Sequence, residues 1–159
     1  MIFALLLAST AEARVAVRSI DDLRNDKTVA ALETQFLSLA SGLAIYRGCA
    51  KEYGVTQEQL DYHTSLLTQV GMEYTRAYTT AYLNKTGAPP PQKVADYYTQ
   101  YITAQQQQAY NNTAHTIKTK NCQRSGIRKP FTLLEQNRLK ALAEPLRLRI
   151  VRELIFAPC

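Results

Sequence analysis

Tryptophan is absent from the 159 residues, histidine and methionine occur twice each, and cysteine occurs three times. His63 and His115 stand far apart in the sequence, and neither belongs to a metal-spacing motif. Cys49 and Cys122 are likewise too distant from each other to read as a zinc knuckle. A phosphate-binding glycine loop and a nucleophile elbow are both missing, so their chemistries lose their usual signatures. Glu58 and Asp61 read as an ordinary acidic helix start. The expectation is therefore a protein that is not an enzyme, with no catalytic or metal-binding residue and no cofactor. Long apolar runs are scarce as well. Residues 2–8 form the clearest one, which is far too short to cross a bilayer, and no other stretch reads as transmembrane, so no membrane span is expected.

The short apolar run has another reading. Small and polar residues follow it, and Ala11-Glu12-Ala13 supplies the A-x-A pattern that signal peptidase accepts. Residues 1–13 are read as a signal peptide, cleaved to leave Arg14 first, although no Lys or Arg precedes the run. The alternative is an ordinary N-terminal helix. Export implies a periplasmic or secreted protein; without it the chain is cytoplasmic.

An apolar content of 46% suffices for a packed core, and the pattern says what kind. Ser19 followed by Asp21 and Asp22 reads as a helix start. From Thr28, the residues Val29, Leu32, Phe36, Leu39, Leu43, Tyr46, Ala50 and Tyr53 recur at three- and four-residue spacing, the stripe of a bundle-facing helix ending near Gly54. Thr56-Gln57-Glu58-Gln59 is a capping box, opening a second stripe of Leu60, His63, Leu67, Val70, Tyr74, Ala77 and Ala81. Gly87 and the three prolines after Ala88 stop it. A third segment begins near Gln92 and carries Val94, Tyr97, Tyr98, Tyr101 and Ile102. Its second half, through Gln105–Gln108, has a weak stripe and is expected to be wet or frayed, the alternative being a groove that awaits a partner.

Three segments of about 26 to 29 residues make helices of roughly 40 Å. Short connections force them to run up, down, up. The fold expected for residues 14–122 is thus an all-α, three-helix bundle. Its first and third helices run parallel, so Cys49 and Cys122 meet at one pole. In an exported protein the two form a disulfide, worth roughly 4 kcal/mol by chain entropy; in the cytosol they are two buried thiols. Cys159 is left over.

Ten tyrosines against four phenylalanines are unusual. Tyr78, Tyr82, Tyr97, Tyr98 and Tyr101 are candidate partner-binding residues, because aromatic side chains dominate interface anchors. Packing at a damp core edge is the competing reading of each. His63 lies on the apolar stripe and reads as a hydrogen-bonded core-edge histidine.

Charge divides the chain. Residues 1–117 hold nine Lys or Arg against ten Asp or Glu, whereas residues 118–159 hold ten against three, which accounts for the net +6. Residues 123–131, with Gly126 and Pro130, read as a linker. Residues 132–159 read as a basic amphipathic helical tail, opened by a second capping box at Thr132–Glu135 and restarted at Glu144-Pro145. Arg124, Arg128, Lys129, Arg138, Lys140, Arg147, Arg149 and Arg152 are its candidate contacts to nucleic acid or another polyanion; a solubilising tail is the alternative.

Within that tail, Leu139-Lys140-Ala141-Leu142-Ala143-Glu144-Pro145-Leu146-Arg147-Leu148-Arg149-Ile150-Val151-Arg152-Glu153-Leu154 resembles the opening segment of ArsR-type winged-helix repressors. The likeness covers about a tenth of the chain, and Leu146 stands where the family often has Thr. It implies a scaffold piece able to touch phosphate. The family's recognition helix and wing follow this segment, so no base-reading or metal-binding residue carries over. The functional expectation is a small exported helical binding protein with an unidentified protein partner, of inhibitor, immunity-like or chaperone type. A nucleic-acid-associated protein, or an ArsR-like regulator fragment using the tail, is the alternative.

Overall fold

The structure, a computed structural model, describes the backbone of residues 22–155 and the side chains of residues 22–144. The expected signal peptide, the Ser19 helix start and Cys159 lie outside them. The described residues form helices and no strands: α1 Lys27–Gly48, α2 Ala50–Tyr53, α3 Gln57–Thr86, α4 Gln92–Lys120 and α5 Ser125–Ile155. Helices α1, α3 and α4 pack together as the bundle core.

The starts and stops follow local chemistry. Asp26 caps α1, its carboxylate accepting from the amides of Thr28 at 2.9 Å and Val29 at 3.1 Å. The Thr56 hydroxyl accepts from the Gln59 amide at 3.2 Å while the Gln59 side chain accepts from the Thr56 amide at 2.7 Å, closing the capping box. Helix α3 stops at Gly87, whose φ of 75° is easy for glycine and strained for other residues.

Much of each expected stripe is buried, with Leu32, Ala50, Tyr53, Leu60, Val94, Tyr97 and Tyr101 half-buried. Val29, Phe36, Leu39, Leu43 and Tyr46 on α1 face His63, Leu67, Val70, Tyr74, Ala77 and Ala81 on α3, with Tyr98 and Ile102 contributed by α4. Helix α1 is the middle member, bordered by both α3 and α4, which meet each other less extensively. That position explains why Ala40, Ala44 and Ile45, off the expected stripe, are also buried. The second half of α4 stays helical to Lys120 rather than fraying. Gln106 and Gln107 border a seam beside Ala40, Leu43 and Arg47, and Ile117 beyond them closes on Gly48, where an added Cβ would lie 3.1 Å from the isoleucine side chain.

Cys49 and Cys122 are joined by a disulfide at the pole shared by the ends of α1 and α4. Ile45, Ile127 and the half-buried Tyr53, Ile117 and Phe131 surround it.

Other expectations need correction. The linker read at 123–131 is helical from Ser125, although Gly126 and Pro130 are poor helix formers in an interior. Burial of Ile127 at 3% exposure and packing of Phe131 against the disulfide cluster override them. The capping box read at Thr132–Glu135 does not exist, because Thr132 is inside α5 and its hydroxyl donates to the Arg128 carbonyl at 3.0 Å. The expected restart at Pro145 is likewise absent, since α5 passes through it. Finally, α1 is by length and composition apolar enough to cross a membrane, contrary to the expectation that no such stretch exists; here much of its apolar surface is covered by the neighbouring helices.

Candidate functional site

The five candidate tyrosines are not an open surface. Tyr78 and Tyr98 are fully buried. Tyr82, Tyr97 and Tyr101 are half-buried against the same core. The Tyr78 and Tyr98 rings stack at 5.0 Å, Tyr101 stands edge-on to Tyr78 at 6.4 Å, and Tyr74 completes the row at 5.2 Å from Tyr78. Burial pushes the Tyr78 phenol up to about 12. The Arg24 guanidinium lies 5.7 Å above the Tyr101 ring. These residues join α3 and α4 to α1, and their amphipathic bodies suit a helix junction with a damp rim.

The second cluster, at the other end, is only partly visible in the sequence. The first half of α5 folds back onto α1 and α3 and inserts Leu134 where α1 carries Gly42. A Cβ on Gly42 would lie 2.5 Å from a Leu134 methyl and 2.8 Å from the His63 ring, so only glycine lets the three helices close. Glu135, the next residue, is the hub. It accepts a hydrogen bond from the Tyr46 hydroxyl, another from the Gln59 side-chain amide at 2.8 Å, and a bidentate pair from Arg138, Nη2 to Oε2 at 2.8 Å and Nε to Oε1 at 3.2 Å. Burial pushes the Glu135 carboxyl up, but Arg138, Tyr46 and Gln59 together outweigh it and hold the carboxyl below its ordinary value. The Tyr46 phenol is raised, first by burial and then by its bond to Glu135.

His63 sits beneath this hub, 2% exposed, with its ring stacked on Tyr46 at 4.6 Å. Its Nε2–H donates to the Leu39 carbonyl at 2.8 Å, a carbonyl being able only to accept. Burial lowers its pKa, although the Leu39 contact and the charge on Glu135 oppose the shift. A histidine, a tyrosine and a glutamate in one cluster invite a catalytic reading. Their bonding points elsewhere: the Tyr46 proton is turned to Glu135, the glutamate's charge is met by Arg138, and His63 holds a backbone carbonyl. What the arrangement does chemically is dock α5.

Beyond the hub, α5 separates from α1 and α3 around an open groove of about 380 Å³, bordered by Ser38, Leu66, Leu134 and Asn137. Past Arg138 the helix carries Leu139 at 57% and Leu142 at 46% exposure, and Leu133 on its outer side is 58% exposed. Of the expected basic residues, Arg124, Arg128, Lys129 and Lys140 are exposed, whereas Arg138 is half-buried in the hub. The side chains of Arg147, Arg149 and Arg152, and most of the ArsR-like segment's, lie outside the described residues. Among the described residues no group of three or more His, Cys, Asp and Glu is placed to hold a metal ion.

The signal that could have found the hub is the spacing of Ile127, Phe131, Leu134 and Arg138, one helical stripe running through the supposed linker. Comparison with protein-family models, with curated proteins and with solved structures gave no match.

Proposed function

We propose that this chain is a small exported helical binding protein that acts without catalysis and takes another protein as its partner through the outer half of α5. The observation that carries the reading is the uncovered stretch past the hub, where Leu139 and Leu142 are exposed beside the exposed Lys140. A helix of that kind fits an apolar groove with an acidic rim. The Cys49–Cys122 disulfide supports an oxidising compartment. The tyrosine face, buried as it is, gives way to α5 as the working surface.

Expression with secretion, followed by intact-mass measurement with and without reductant, reads cleavage before Arg14 and the disulfide together. A photo-cross-linking residue at position 142 should then give a discrete protein adduct that disappears when Leu139 is replaced by Asp. An uncleaved, fully reduced cytoplasmic protein would overturn the export reading.

A second reading, association with nucleic acid, is favoured by the exposed cations Arg124, Arg128, Lys129 and Lys140. A salt-dependent duplex DNA shift, lost when Arg124, Arg128, Lys129 and Lys140 become Gln, would put it first.

A further inference from the structure

The disulfide gathers charge that the sequence scatters. Lys51 follows Cys49 by two residues, while Lys118, Lys120 and Arg124 flank Cys122. Arg128 stands close enough to Tyr53 to pull its phenol downward, against the larger upward push of burial. Lys129 is its neighbour on α5. All six are exposed, and none joins an ion pair among the described residues. The exposed carboxylates on the same end are Glu52, Glu58 and, one turn further in, Asp61, while Glu135 is paired with Arg138 inside the hub, so the exposed cations outnumber the exposed carboxylates two to one.

Helix stability accounts for part of this set. Lys118 and Lys120 occupy the last turn of α4, where cations complement the negative end of the helix dipole. Arg124, Arg128 and Lys129 sit at the opposite kind of terminus. They crowd the start of α5, whose first turn contains no acidic residue. Positive charge there opposes the dipole and costs stability, so something other than the helix calls for it.

We infer that this pole docks on an anionic phospholipid bilayer. The cations are spread over α2, the end of α4 and the start of α5 around one disulfide, so they belong to three elements at a shared pole and do not track along one helix as a groove reader's would. Val55 and Pro130 lie among them and offer apolar area to the headgroup zone. Lys and Arg near an anionic leaflet are each attracted by it within a Debye length. Docked this way, the bundle stands on its cysteine end and α5 runs away from the surface, leaving Leu139 and Leu142 accessible. The docking rests on the exported compartment proposed above, but purified oxidised protein tests it without any partner, so the two fail separately.

The test is co-sedimentation of the oxidised protein with vesicles of phosphatidylcholine alone and of phosphatidylcholine with roughly a third phosphatidylglycerol, at low and physiological ionic strength. Binding should require phosphatidylglycerol and weaken with salt. Replacing Lys118, Lys120 and Arg124 by Ser should weaken it by about a hundredfold, near fivefold for each cation. Replacing Arg147, Arg149 and Arg152 by Gln should leave it within about twofold, since these positions lie far from the pole. Circular dichroism and the disulfide-bonded mass check that both variants fold. Equal binding to neutral vesicles, no binding to either, loss in the tail variant alone, or a clear preference for duplex DNA at equal phosphate concentration would each overturn the docking.

Discussion

Toward the α3–α4 turn, the bundle is closed by rings: Phe36 lies 5.6 Å from Tyr74, and Tyr74, Tyr78 and Tyr98 continue the row across all three core helices. At the cysteine end it is closed by a covalent bond and by four donor groups converging on one carboxylate. Ring burial is non-directional and indifferent to pH and reductant. The other closure depends on a redox state, on a charge and on geometry. The molecule thus has one end set by composition and one end set by conditions.

The comparison breaks most severely at its apolar end. Tyr78→Ala removes a fully buried ring and should cost about 3–5 kcal/mol, read as a lower midpoint in urea unfolding. Next comes the covalent closure. Cys122→Ser, or reduction of the native protein, should lower stability by about 2–4 kcal/mol in the same measurement. Glu135→Gln strips the charge from the hub and should cost about 1–3 kcal/mol. Hydrogen exchange would place the loss in α5 and the start of α3, with the Tyr74–Tyr98 row still protected; uniform loss of protection would argue against two separate closures.

The smallest effect is the pH dependence. His63 has a lowered pKa in the folded protein, so its contribution is fully present above the ordinary value of 6.5 and is lost as pH falls through that value toward the folded one. Glu135 is also lowered, so its contribution is present above 4.5 and lost on further acidification. Stability should therefore decline in two stages below neutrality. His63→Gln should remove the upper stage, and a profile unchanged by that substitution would separate the histidine from the effect.

How much is legible in the sequence depends on whether the deciding contacts follow from spacing along one helix or arise only on packing. The three stripes, the Thr56 capping box, the Gly87 stop and the cysteine pairing follow from spacing and from local chemistry, which neighbouring residues carry. The fate of α5 does not. Gly126 and Pro130 are locally breakers, and only burial of Ile127 and Phe131 beneath a bond between residues far apart overrides that local preference. Glu135 reads locally as the end of a capping box, whereas it also accepts from Tyr46, 89 positions away. Residue type alone nominates the tyrosines, and it cannot say whether an aromatic face meets a partner or the next helix; Tyr78 and Tyr98 meet the next helix.

Gln59 joins two tasks that rules for single helices treat apart. Its oxygen closes the capping box while its nitrogen reaches the Glu135 carboxylate, so a single amide both begins α3 and fastens α5. Glutamate at that position would satisfy any consensus for a helix start, yet it would set two anions against each other across the junction. The side chain works as a rivet through two plates, and a replacement chosen for either plate alone would open the other.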